Sequence, residues 1–441
     1  MLFDGRSCHA LRRFPVYRRP GRDFHGSNPQ CLLARPWLQY DLVLRNEIPE
    51  PLTLEEGELL LGLCRAGKLY EIEKWIASGK SLRTPREVMK TPLQIATDLE
   101  FHSLVELLVR NEDSQDEKDK ALREVVSKRR LDLVQLLVDN GAQVRSVPLT
   151  DVLLTWEPSL IRFFLENGAD VITGSPFAVA FGDKIRTALR PFVNYKEAHP
   201  EIAVSLQAQA DRALRHFACE GDMKWISLMI WAGANPRTRG PTVNDRFEND
   251  PECHTTALKE ACQKGNLEVL NKLKVDPRQD DLAALLHSAA LSTSKEVIQH
   301  LLRLGANPNN KANGGSSALD RCLWHLGFGR FDPYGNKRLV SKYEARETLD
   351  CIQALVEKGA LWRVEDRREM ISLRQTLCKC DPAITVELVK LFARHKASAE
   401  DALEKLLDAP RMREHLSQLG MKLYANPVKR PRKQNSTHSS V

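Results

Sequence analysis

The chain has 441 residues, 42% hydrophobic and 28% charged, so it carries enough apolar matter for a sizeable core and is no wholesale disordered segment. Its longest apolar runs, such as Leu59–Cys64 and Leu228–Ala234, stop at six or seven residues, far short of the roughly 20 that a membrane helix needs. A net charge of +7, from 65 basic and 58 acidic side chains, is too dilute to announce a nucleic-acid binder.

Residues 1–50 read as a basic, disordered N-terminal extension. The first 35 residues hold seven arginines, no lysine and two acids, Asp4 and Asp23, without the apolar core of a secretory signal. A transit-type peptide and a mis-called start both remain open there. The ten cysteines are scattered, with no disulfide-scaffold density, which fits a reducing, cytoplasmic or nuclear setting.

From about residue 55 one phrase recurs: Gly-x-Leu-x-x-apolar-x-x-Leu-x-x-Gly-Ala. It reads Gly67-Lys-Leu69 to Trp75-Ile76-Ala-Ser-Gly79, then Leu131-Asp-Leu133 to Gly141-Ala142, then Leu160-Ile161 to Gly168-Ala169-Asp170. Further copies end at Gly233-Ala234-Asn235, Gly305-Ala306-Asn307 and Gly359-Ala360, with weaker ones at Leu104–Asn111, Leu267–Pro277 and Val386–Lys396. A shorter helical phrase precedes many copies: Thr91-Pro92-Leu93, Ser175-Pro176-Phe177, Thr256-Ala257-Leu258 and Ser317-Ala318-Leu319. Thr or Ser there caps a helix, and Pro occupies its first position, where no backbone N–H is missed. The closing glycine stops the second helix in a left-handed conformation that other residues resist.

These phrases resemble the ankyrin repeat, whose pattern runs Thr-Pro-Leu-His-x-Ala to a closing Gly-Ala-Asp/Asn. The closing positions Gly79, Asn111, Gly141, Gly168, Gly233, Pro277, Gly305, Gly359 and Lys396 are spaced 32, 30, 27, 65, 44, 28, 54 and 37 residues apart. The family period is about 33 residues. The longest interval leaves room for a degenerate copy near Ser175–Val193. The resemblance implies an all-α fold: an ankyrin-type helix–loop–helix solenoid of nine to ten divergent repeats, with projecting hairpin loops and disordered termini. The array is expected over 51–424, with long loops at 235–255 and 327–342 and end caps at Leu52–Leu63 and Ala402–Leu423. Residues 425–441 form a basic tail.

The departures are informative. Gly67, Gly221 and Gly265 keep the glycine between the two helices, whereas Arg129, Trp156, Thr293 and Glu347 stand in its place elsewhere. Trp156-Glu-Pro158 shortens the turn and starts its helix at a proline.

No catalytic constellation emerges. Cys64 and Cys262 fall in a small buried slot, where cysteine behaves as a hydrophobe. Cys378-Lys-Cys380 and Cys322-Leu-Trp-His325 are close ligand-like pairs, and a structural zinc site wants two such pairs closing a tetrahedron. Gly327-Phe-Gly329-Arg-Phe-Asp332 lacks the third glycine of a dinucleotide fingerprint and belongs to an insert, Gly327–Lys342, that reads as a loop. The expectation is therefore no enzyme, no metal and no cofactor.

Function in this architecture belongs to the loops and the inner face. Basic residues gather at the loops: Arg83, Arg86 and Lys90, then Arg145, Arg237, Arg239, Lys311, Arg363, Arg367 and Arg368, diluted by Glu87, Glu248, Asp250, Glu365 and Asp366. They read as a solvated mixed-charge edge, a groove for an acidic protein segment or, least of all, a nucleic-acid face. Trp75 and Trp225 fall in packed slots. Trp231 falls at an outward position, which fits packing on a neighbouring repeat or a plain surface residue first and an interface anchor second. The expectation is a monomeric, cytoplasmic scaffold binding another protein through its concave face and loop tips. The alternative is an adaptor whose terminal segments carry the activity; Lys429-Arg430-Pro431-Arg432-Lys433 resembles a nuclear-localisation signal.

Overall fold

The structure is a computed structural model that describes residues 52–84, 90–242, 254–312, 315–328, 330, 331, 337, 338, 340–362, 382–395, 414 and 417. The backbone divides into residues 1–50, which lie outside the described ones, and residues 51–441, which hold every element below. The expected C-terminal cap lies outside the described residues apart from 414 and 417, as does the basic tail. Among the described residues, no helix is long and apolar enough to cross a membrane.

Among the described residues, nine helix pairs follow one another. They are α1 (Leu54–Arg65) with α2 (Leu69–Ala77), α3 (Pro92–Asp98) with α4 (His102–Arg110), and α5 (Gln115–Ser127) with α6 (Leu131–Asp139). Next come α7 (Leu149–Leu154) with α8 (Pro158–Glu166), α9 (Pro176–Gly182) with α10 (Leu189–Ala198), and α11 (Ala203–Glu220) with α12 (Met223–Trp231). The last three are α13 (Ala257–Gln263) with α14 (Leu267–Leu273), α15 (Leu282–Ser292) with α16 (Lys295–Arg303), and α17 (Ala318–Phe328) with α18 (Lys342–Glu357). A further helix, α19 (Pro382–Arg394), packs on α18. The degenerate copy near Ser175–Val193 is thus a genuine fifth pair.

The first helices pack in chain order, α1 on α3, α3 on α5, and so on to α15 on α17. The second helices make another row, with α2 on α4, α4 on α6, α8 on α10, α14 on α16 and α16 on α18. The apolar spacing dictates this. In α4, Leu104, Val105, Leu108 and Val109 are buried on one stripe, the arrangement of a helix with a single core face. Burying each such side chain stabilises by about 2 kcal/mol. That burial comes from the neighbouring repeats, so stability accumulates between units.

Caps fix where the helices begin. The Thr91 hydroxyl accepts from Gln94 N–H and the Gln94 side chain returns to Thr91 N–H, with Pro92 at the first position. Thr53 with Glu56 and Ser341 with Glu344 repeat the box, and Thr256 caps α13 by accepting from Lys259 N–H. Ser175 departs: it is itself left-handed, at φ 52°, and caps nothing with its side chain.

Six second helices end at left-handed glycines, namely Gly79, Gly141, Gly168, Gly233, Gly305 and Gly359. The turn between the two helices carries a left-handed residue in eight of the nine pairs: Gly67, Glu100, Arg129, Trp156, Lys184, Gly221, Gly265 and Thr293. The chain therefore keeps the turn geometry where it has lost the glycine. It accepts backbone strain on the order of 1 kcal/mol at each such side chain.

Three expectations are corrected. Glu347 is not a turn residue; it lies inside α18, because Ser341 and Glu344 start that helix earlier than the repeat period suggests. Pro277 does not close its helix, since α14 ends at Leu273 with Lys274 left-handed at φ 57°. The insert at 327–342 is not all loop: α17 runs through Phe328, and β1 (Arg330–Phe331) pairs antiparallel with β2 (Lys337–Arg338). The copy at Val386–Lys396 falls within α19 except for its end, which lies outside the described residues.

Candidate binding surface

The finger loops are tied down by a repeating device. Four residues after the closing Gly141 stands Arg145, whose Nε donates to the Gly168 carbonyl, 3.2 Å away, at the end of the next repeat. Four residues after Gly233 stands Arg237. Its Nε and one Nη grip the Asp280 carboxylate at 2.9 and 3.1 Å, and the same Nη reaches the Lys274 carbonyl at 3.1 Å. Four residues after Gly305 stands Asn309, whose Nδ2 donates to the Gly359 carbonyl at 2.9 Å while its Oδ1 accepts from Leu361 N–H at 2.6 Å. Arg83 holds the corresponding place after Gly79, and its charge acts on Glu112 at the end of the following repeat.

First helices hold the same loops from within. Asp119 accepts from Gln143 N–H at 2.8 Å, and Gln115 bridges Asp119 to the Gly141 carbonyl at 2.9 Å to each. Asp211 and Gln207 reproduce this on α11. Asn235 N–H donates to Asp211 at 2.7 Å, and Gln207 bridges Asp211 to the Gly233 carbonyl. Arg215, one turn further along α11 and buried, donates to the Pro241 and Thr238 carbonyls at 2.8 and 3.1 Å, and Arg212 donates to the Thr242 carbonyl at 3.0 Å. Burial pushes the Arg215 guanidinium down to about 10, against the opposing pull of Asp211. The finger base closes with an antiparallel bridge between Gly240 and Thr255.

These contacts decide the fate of the basic candidates. Arg145 and Arg237 are spent on joining repeats, and Arg239 donates to the His254 carbonyl at 3.2 Å. Lys90 pairs with Asp98. Arg83 and Lys311 are exposed. Arg86, Arg363, Arg367 and Arg368 lie outside the described residues, together with Asp245, Glu248 and Asp250, acids of the finger that could pair with Arg237 and Arg239. Arg237 finds its acid in the next repeat instead. The signal was present in the sequence, since Arg83, Arg145, Arg237 and Arg363 each follow a closing glycine by four positions.

Trp75 and Trp225 are buried, whereas Trp231 is 58% exposed at the end of α12, beside the 37%-exposed Ile230. Lys196 and Gln207 brace that end by donating to the Ala232 and Gly233 carbonyls at 2.8 and 2.6 Å. Val204, at the start of α11 one turn before Gln207, is also exposed. An aromatic face thus sits on a rigid helix end.

Among the described residues, Cys64, Cys262, Cys322 and Cys351 are buried and Cys219 is partly so. Burial pushes Cys64 up to about 11 and Cys262 up to about 12, which leaves neither as a nucleophile at neutral pH. Cys322 is likewise raised to about 12 and buried, and His325 beside it places Nδ1 3.1 Å from the Thr348 hydroxyl. Among the described residues no group of three His, Cys, Asp or Glu is placed to hold a metal ion. Cys378 and Cys380 lie outside them.

No protein-family model and no curated protein matches the sequence. Among solved structures, the chain is similar to the ankyrin repeat domain of Bcl-3, a member of the IkappaB protein family. That likeness is 16% identical, covers 59% of this chain and 91% of that one, and has a TM-score of 0.28. It is also similar to the human ASB11 ankyrin repeat domain, at 15% identity over 61% of this chain and 96% of that one, with a TM-score of 0.27. Among the described residues, nine stacked helix pairs, left-handed turns between the helices of eight of them, and glycine stops after six second helices make an all-helical solenoid whose repeats resemble the ankyrin repeat.

Proposed function

We propose that the chain is a non-catalytic protein-interaction scaffold whose partner docks at the sixth repeat, on Trp231 and the braced finger beside it. The carrying observation is the 58% exposure of Trp231 on a helix that buries its other tryptophan. A large aromatic on a rigid element contributes contact area at little conformational cost, which is why tryptophan dominates interface hot spots. The loop arginines contribute less directly than their number suggests, because Arg145 and Arg237 already have acceptors within the array.

A photo-crosslinking amino acid at position 230 of the full chain, beside an intact Trp231, tests this. Specific crosslinked partners are expected, with capture lost in Trp231→Ala and kept in Leu59→Ala, another exposed apolar position. Partners that survive Trp231→Ala unchanged would overturn the docking site.

A further inference from the structure

A second surface stands apart from Trp231, on the row of first helices. The consecutive neighbours α13, α15 and α17 carry Lys259, His287 and Arg321. All three side chains are half-buried. Arg321 lies with its guanidinium carbon 4.6 Å from the centre of the Trp324 ring, so its plane is held before any partner arrives. Its Nε is buried and has no hydrogen-bond partner. The Lys259 ammonium forms no ion pair among the described residues.

His287 sits between these cations, with Nε2 3.0 Å from the Ser316 hydroxyl. Burial first, then the charges of Arg321 and Lys259, hold its imidazole below the ordinary range, and Asp320 alone acts the other way. Asp320 does not neutralise the cluster by contact. Its Oδ2 accepts from the Ser317 N–H and hydroxyl at 2.8 and 2.7 Å, as the cap of α17. The three helices thus present two cations and an imidazole, with the nearby Asp320 carboxylate held by Ser317.

We infer that this face of the seventh to ninth repeats is a docking site for an acidic protein segment, one carboxylate side chain closing on Arg321 and a second on Lys259. The occupant follows from charge complementarity to two half-buried cations set on neighbouring helices. A planar guanidinium stacked on an indole matches a carboxylate through paired N–H donors. This deepens the scaffold reading by giving the partner a second, acidic contact away from Trp231.

The probe is a fluorescein-labelled peptide of alternating Glu and Ser, titrated into the full chain at low salt and followed by anisotropy. The same peptide with Gln for Glu is the control. Binding of the Glu peptide alone is expected, weakened roughly tenfold by Arg321→Met and severalfold by Lys259→Met. Arg303→Gln, on the other helix row, should leave it unchanged. Arg321→Lys should recover only part, since it keeps the charge without the fork. In the unaltered chain, the Arg321 Nε–H resonance should shift on titration, which keeps the test decisive if Arg321→Met folds poorly. Equal binding by Arg321→Met and Lys259→Met, a stationary Nε–H signal, or equal loss in Arg303→Gln would overturn the assignment. Failure of Trp231-dependent crosslinking from position 230 with intact peptide binding sinks only the Trp231 site. The reverse pattern sinks only this one.

Discussion

Arg237 and Asp280, 43 residues apart, meet in a two-pronged ion pair at 2.9 and 3.1 Å, with the carboxylate only 5% exposed. Asp280 also accepts from the Asp276 N–H at 2.7 Å, so its charge is fixed from both sides. The pair clamps the longest finger to the following repeat, and Arg145 to Gly168 and Asn309 to Gly359 are the same tie made elsewhere.

Arg237→Ala should therefore destabilise by about 1–3 kcal/mol, because it strands a buried carboxylate. The loss should concentrate in the sixth and seventh repeats, as contacts in such arrays run between neighbours. Hydrogen exchange checks this: faster exchange at Lys274–Asp280 is expected, with the first three repeats unmoved. Uniform loosening would contradict the tie.

Asp211→Ala should release the finger base while leaving the helices formed. The Asn235 N–H loses its acceptor and Gln207 loses its anchor, at a cost of about 1–2 kcal/mol. Asp211→Asn keeps an acceptor oxygen and should cost less. Protection of the Asn235 amide separates the two variants.

Left-handed turn positions give a pair of opposite outcomes. Arg129 holds φ 60° with an exposed side chain, so Arg129→Gly should stabilise by about 0.5–1 kcal/mol. Gly168 holds φ 78°, with open space where a Cβ would lie, so Gly168→Val should destabilise by about 1–3 kcal/mol through backbone strain alone. Urea unfolding midpoints moving in the same direction for both would refute the reading.

Stability should decline on mild acidification through His287. Its folded pKa is depressed, so between that value and the ordinary 6.5 the unfolded chain binds more protons than the folded one. Stability is then full above about 6.5 and is lost as pH falls toward the folded value. His300, lowered by burial and Arg303, adds in the same direction. Unfolding midpoints measured at pH 7.5 and 5.5 should differ less in His287→Gln than in the unaltered chain.

The sequence by itself determined the helix pairs and where most of them stop. Apolar spacing in Leu104–Val109 and the closing glycines at 79, 141, 168, 233, 305 and 359 are local signals, because helix faces and left-handed stops are set by a few consecutive residues. The same locality explains the burial of Cys64, Trp75 and Trp225 and the exposure of Trp231, all readable from position within a repeat. Glu347 and Pro277 went astray because a cap at Ser341 and a left-handed Lys274 override the repeat period, and neither substitution carries a glycine to mark it. Only the tertiary structure decided what each charge does. Whether Arg237 faces a partner or Asp280 depends on how one repeat rotates onto the next, and whether Arg321 meets an acceptor depends on what α15 and its loop place before it. Charges act through space across residues far apart in the chain, and no window of sequence contains both ends of such a contact.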